Sequence, residues 1–201
     1  MDIFIAVFVI GFGLNVFTQR DQRVRIALLG TYLAKYQIEK LMENLIQGYL
    51  RALGETDPER QASIWSNLTT AEAELCSQFN AFVLSFAKVT EPQGRVSKLP
   101  FALPYAAQWL PGYTFDARKA LAVHAKAITQ AATERDDQTR KQQAFTMMAE
   151  LFLMQHTCHW YCRSKLVASA RLMAQHKSPY AQVLDSVAPQ TRQAYCAVVG
   201  C

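Results

Sequence analysis

The sequence predicts an all-α protein in which an N-terminal membrane-anchor helix leads into a bundle of two amphipathic helical hairpins, with a Pro/aromatic loop between them. Three observations carry that expectation. Residues 1–17 read MDIFIAVFVIGFGLNVF, with Asp2 as the only charge. Apolar residues then recur every three or four positions over long stretches, the period of helices with one buried face. Pro92, Pro100, Pro104 and Pro111 gather in one segment that no long helix tolerates. The resulting bounds are an anchor over 1–19, a first hairpin over 20–89, the loop over 90–115 and a C-terminal helical region over 116–201 that packs with 20–89 as one domain.

A helix needs roughly 17 to 25 mostly apolar residues to cross the hydrocarbon core, and the opening run reaches that length with Thr18 and Gln19 in the interface. A cleaved signal peptide wants a positive start and small residues at the cut. Here Asp2 stands at the start and Asn15 and Phe17 at the end, so the segment is expected to be retained. Arg20, Arg23 and Arg25 follow at once as membrane-interface residues. Excess Lys and Arg stay cytoplasmic, which puts the amino terminus outside and the bulk of the chain in the cytoplasm. A run of this length is also compatible with a helix buried in the protein's own core or a partner's.

The 201 residues are 51% hydrophobic, 11% aromatic and 18% charged, close to globular usage apart from the low charge. The formal net charge of +5 points to anionic lipid headgroups, since arginines cluster beside the anchor. No nucleic acid partner is expected, because no basic helix face with interleaved aromatics is present.

Beyond the anchor, Ala34, Ile38, Leu41, Leu45, Tyr49 and Ala52 define one helix face and Lys40, Glu43, Asn44, Gln47 and Arg51 the other. Only Gly30 interrupts residues 18–53, so a helix continuous with the anchor is expected, with Gly54 as its C-terminal cap. Thr56, Asp57, Pro58 and Glu59 supply the start signals of a second helix, whose apolar positions are Ile64, Leu68, Leu75, Phe79, Phe82 and Phe86.

From Leu99 the loop reads LPFALPYAAQWLPGYTF, with Phe101, Leu103, Tyr105, Trp109, Leu110, Tyr113 and Phe115 and no charge. Long loops are functional or disordered, and this much apolar area argues against disorder. These seven residues are the candidate interaction surface, for the bilayer interface, where Trp and Tyr are enriched, or for a partner subunit. The alternative is a coil packed over the core.

A third helix is expected from Asp116 as N-cap to about Arg135, and a fourth from an Asp136-Asp137 cap through Gln138 to about His176. The middle of the fourth, residues 144–154, is apolar nearly all round and belongs at the centre of a bundle. Its one carboxylate, Glu150, is expected in an interhelical salt bridge. Ser178-Pro179 and Pro189 open two last helices.

The one cluster with chemical potential is Cys158, His159 and Cys162, which fall within about a third of a turn of a helix. Two thiolates and an imidazole are zinc ligands, with His156, His124, Cys196 or Cys201 to complete a tetrahedron. One uninterrupted helix presents three ligands tetrahedrally only with distortion, and free cysteines commonly serve as small core residues. A haem held by His124 and His159 requires the two histidines to face each other. In a reducing compartment all five cysteines remain thiols; outside it, Cys158 with Cys162 or Cys196 with Cys201 can oxidise. A P-loop, a dinucleotide fingerprint, a nucleophile elbow and a helical His-Glu zinc motif are all absent from the sequence.

The expectation is therefore a single-pass membrane-anchored helical protein acting as a structural, accessory or assembly subunit of a larger membrane protein complex. Its partners are the lipid bilayer and other subunits or a second copy; it has no cofactor and is not an enzyme. The alternative from another class is a thiol- or metal-dependent protein, zinc-binding or redox-active, using Cys158, His159 and Cys162.

Overall fold

The computed structural model describes residues 2–133 and 139–201, and the side chains of all of these except Asp2, Ile3, Ile5, Ala6 and Ile10. The all-α expectation is met: ten α-helices lie among the described residues. The first, α1 (Asp2–Leu33), runs unbroken through the expected anchor boundary at residue 19. The anchor is not met as a spanning helix. Among the described residues no helix is long and apolar enough to cross a membrane. The described apolar stretch of α1 ends at Phe17, after which Thr18, Gln19, Arg20 and Asp21 turn the helix polar.

The expected continuous helix over 18–53 is broken. After Leu33 the chain turns, and the backbone N–H of Gln37 donates to Gln78 Oε1 at 2.6 Å. That contact redirects the chain so that Ile38 enters the core at the start of α2 (Ile38–Gly54). Gly54 ends α2 without the expected left-handed cap, because the following residue, Glu55, is extended at φ −78°. The next helix, α3 (Pro58–Phe86), starts as the sequence indicates, with Asp57 accepting the N–H groups of Glu59 and Arg60.

The helices α2 and α3 pack together, with Leu45, Tyr49 and Ala52 buried on one side and Leu68, Leu75 and Phe79 on the other. A Cβ at Gly48 would run into Leu68, so the glycine sets how near the two helices lie. Tyr49 donates its hydroxyl to Glu72 Oε1 at 2.7 Å inside this contact.

The expected loop has structure of its own. It holds α4 (Glu91–Gly94), β1 (Arg95–Ser97), α5 (Ala106–Trp109), a 3-10 turn at Pro111–Tyr113 and β2 (Thr114–Asp116). The strands pair antiparallel, Val96 opposite Phe115. Asp116 then accepts the N–H of Arg118 at 2.9 Å and grips its guanidinium at the start of α6 (Ala117–Thr133).

At the centre stands α7 (Arg140–Cys162), with Met147, Leu151 and Leu153 fully buried. Its cap is Thr139, in a reciprocal capping box with Gln142; the expected Asp136-Asp137 cap lies outside the described residues. The predicted run to His176 breaks at Arg163, because the Ser164 hydroxyl caps the N–H of Val167 and starts α8 (Lys165–His176). Two short helices, α9 (Tyr180–Ser186) and α10 (Pro189–Val199), close the chain where the prolines place them.

One further expectation is corrected, and of the two cysteine pairs that the sequence left open to oxidation one is joined. Among the described residues Glu150 forms no salt bridge; its Oε1 accepts the N–H of Ala188 at 3.1 Å, at the N-terminus of α10, where the helix dipole favours a carboxylate. Cys196 and Cys201 are joined in a disulfide across a Cα separation of 4.9 Å. Gly200, at φ +74°, turns the chain back and brings Cys201 within reach. Cys76, Cys158 and Cys162 are free.

Candidate functional site

Two features of α1 and the loop stand out. The first half of α1 projects from the body with Phe4, Val7, Phe8, Phe12, Leu14, Val16 and Phe17 each at least half exposed, Phe8 at 73%. The second half is docked: Leu29 is buried and the Tyr32 ring meets Phe86 edge to face at 5.5 Å. Of the predicted interface arginines, Arg20 and Arg23 are exposed on α1. Arg25 instead serves the fold. It pairs with Asp21 at 2.8 Å, donates to the Arg95 carbonyl at 2.8 Å and lies over the Tyr161 ring.

The seven loop residues divide. Phe115 is core, 2% exposed and edge-on to Trp160 at 4.7 Å. Leu103 is half-buried. Phe101, Tyr105, Trp109, Leu110 and Tyr113 are exposed, Trp109 at 74%. The loop's conformation is fixed from within: Lys98 N–H donates to the Tyr113 carbonyl at 2.9 Å, Tyr105 takes a left-handed φ of 56° to start α5, and the Leu166 N–H donates to the Pro100 carbonyl at 3.0 Å. The loop is thus held with these aromatic rings turned outward.

The Cys158, His159 and Cys162 side chains do come together on one wall, that of a cavity of about 1280 Å³ between α1, α2, α7, the end of α8 and α9. That is larger than the roughly 300 to 1,000 Å³ of common ligand sites. Leu29, Leu33, Met42, Ile46, Met148 and Phe152 supply apolar lining, and Glu39 and Glu43 stand on the α2 side opposite His159 and His176. Burial pushes the Cys158 thiol up to about 12 and the Cys162 thiol up to about 11, so both stay protonated at neutral pH. Burial also lowers the pKa of His159, with Arg171 and His176 adding to it. Among the described residues no group of three or more His, Cys, Asp and Glu is placed to hold a metal ion.

The proposed completing ligands lie elsewhere. His124 is fully buried between α6, α7 and α10, with Nε2 2.8 Å from Thr157 Oγ1, and Tyr195 OH is 3.0 Å from the same oxygen. Thr157 gives its own hydrogen to the Leu153 carbonyl, so His124 is the donor through Nε2, and its Nδ1 is left without a partner. His156 bonds Ser169 at 3.1 Å and stacks on Tyr180 at 4.4 Å. Burial holds both imidazoles neutral, with pKa values lowered to about 3. His124 and His159 meet opposite sides of α7, about 200° apart on the helix as judged from Thr157, and do not face each other across a haem.

Sequence reasoning missed the cavity because its second wall is the polar face of α2, with Glu39, Glu43 and Gln47, which reads as solvated. It also missed the chain from His124 through Thr157 to Tyr195, whose members are 33 and 38 residues apart. Comparison with known families, curated proteins and solved structures finds no match to this chain.

Proposed function

We propose that the chain is a structural, accessory or assembly subunit of a larger membrane protein complex, tethered to the bilayer by the projecting half of α1. The observation that carries this reading is that half-helix, whose large apolar side chains among the described residues, from Phe4 to Phe17, are each at least half exposed, with Asn15 the one polar side chain described among them. Burying a side chain such as Phe or Val is worth roughly 1.5 to 3 kcal/mol, so seven of them strongly favour an apolar environment. From Asp2 to Phe17 the helix is about 24 Å long, against a hydrocarbon core of about 30 Å. The tether therefore embeds without having to cross. Arg20 and Arg23, exposed just beyond Phe17, then lie at headgroup level, where they suit the anionic lipid of a cytoplasmic leaflet, and this supports a cytoplasmic body.

The Cys196–Cys201 disulfide favours a second reading of the same tether, with the body in an oxidising compartment. Protease treatment of intact and permeabilised cells separates the two: a body digested only after permeabilisation is cytoplasmic, and one digested in intact cells is outside. The tether itself is tested by alkaline carbonate extraction of native membranes. The intact chain is expected in the pellet and a chain starting after Phe17 in the supernatant; equal behaviour of the two overturns the proposal.

A further inference from the structure

The root of the projecting half-helix, the end of α7 and the base of the aromatic loop are tied into one end of the molecule. Arg163, which ends α7, donates to Gln22 Oε1 at 2.6 Å; Arg25 donates to the Arg95 carbonyl at 2.8 Å; Trp160 donates to the Ser97 carbonyl at 2.9 Å. The Leu166 N–H, at the start of α8, donates to Pro100. The exposed rings of Phe101, Tyr105, Trp109 and Tyr113 are thus carried on a loop whose base, at Arg95, Ser97 and Pro100, is tied to the root of α1 and to the start of α8, where Leu166 is exposed.

Among the described residues the unpaired charge at this end has one sign. Arg20 and Arg23 are exposed, and Lys98 and Lys165 are half-buried at the edge of the loop. The acids are neutralised locally: Asp21 pairs with Arg25, Glu91 with Arg95 and Asp116 with Arg118. Between Pro92 and Phe115 there is no acid at all. Uncharged Trp and Tyr with a basic rim match the interface of a bilayer, where aromatic rings sit at headgroup depth and cations meet anionic lipid. A protein partner would need matching acids, and a second copy would bring the same positive rim against itself.

We infer that the aromatic loop is a second, interfacial membrane contact, specific for bilayers carrying anionic headgroups, that holds the body against the surface beside the α1 tether. The inference rests on the tether reading for its geometry, but it has its own signal in Trp109.

The full-length protein is mixed with vesicles of phosphatidylcholine alone or with phosphatidylglycerol, each with and without lipid brominated at shallow acyl positions. Trp109→Phe identifies the Trp109 share of the emission, since Trp160 is buried in the core and Trp65 is partly buried on α3. The expected result is bromine quenching of the Trp109 share on phosphatidylglycerol vesicles. In the full-length double variant Phe8→Asp, Phe12→Asp, residual binding is expected to fall at least about tenfold when phosphatidylglycerol is omitted. Vesicle binding with no quenching of Trp109 overturns the loop contact and leaves the tether standing. Quenching and binding that survive the double variant unchanged keep the loop contact and remove the tether. Absence of vesicle binding by the full-length chain overturns both. Concentration-dependent self-association lost in Trp109→Ala, with Trp109 unquenched by lipid, assigns the surface to a second copy and overturns the proposal.

Discussion

Glu150, on the central helix α7, accepts the backbone N–H of Ala188 at 3.1 Å and so holds the start of α10 against the core. Burial raises its pKa to about 7, although hydrogen bonds from Thr191 and Ala188 pull the other way. A carboxyl whose folded pKa lies above its unfolded value contributes stability that is complete below about 4.5 and is lost as pH rises through 7. Glu150→Gln keeps an acceptor and removes the buried charge. The variant is expected to be more stable than wild type at pH 7, by roughly 3 kcal/mol at most, and equal to it at pH 4. Urea denaturation at the two pH values measures this; a variant less stable at pH 7 would show that the charge itself holds α10.

The two buried histidines work in the opposite sense. Their folded pKa values of about 3 lie below the unfolded 6.5, so the unfolded chain binds protons first as the solution is acidified. The stability is present above pH 6.5 and is lost toward pH 3, at up to about 1.4 kcal/mol per pH unit for each histidine. Between pH 4.5 and 6.5 Glu150 offsets one histidine, so the steepest loss is expected below pH 4.5. His156→Gln, which can keep a hydrogen bond to Ser169, is expected to flatten the stability profile relative to wild type across this window. An unchanged slope in chemical denaturation would mean that His156 is not buried neutral.

Within the aromatic loop, neighbouring residues are expected to behave differently on truncation. Phe115→Ala opens a cavity beside Trp160 and is expected to cost about 3 to 5 kcal/mol, whereas Trp109→Ala removes an exposed ring and is expected to leave the melting temperature within a few degrees of wild type. Thermal melts of both variants decide the matter, and a large loss in Trp109→Ala would make the loop a part of the core.

Leu151 is completely buried at the middle of α7. Leu151→Ala is expected to destabilise by about 2 to 5 kcal/mol, read as a lower urea midpoint with an unchanged slope. A negligible shift would remove α7 from the centre of the bundle.

Removing the disulfide is a local event. The bridge joins residues five apart, and closing so short a loop is worth about 2 kcal/mol in the chain-entropy account. Cys201→Ser is therefore expected to fray the last turn of α10 with only a modest loss of overall stability, visible as faster amide exchange near Val198 and Val199. Exchange that accelerates throughout α6 and α7 would show that the bridge supports the whole core.

The sequence by itself determined the helical class, the starts of α3, α6, α9 and α10, and the central place of α7. Each of these follows from local chemistry: an Asp or Pro at a helix start, or an apolar surface too wide to leave in water. It also marked the two apolar features with least cover, the opening run and the loop from Leu99 to Phe115. The tertiary structure alone decided the breaks at 34–37 and 163–164, because they depend on Gln78 reaching Gln37 and on the Ser164 hydroxyl capping α8. It alone set Arg25 inward beside Tyr161 while Arg20 and Arg23 stay outside, placed Phe115 in the core while Trp109 faces out, gave Glu150 to the N-terminus of α10, and joined Cys196 to Cys201. The reason is common to all of these. A residue's period along a helix says which face it occupies, but what that face meets is decided by contacts between segments far apart in the chain, and no local pattern encodes those.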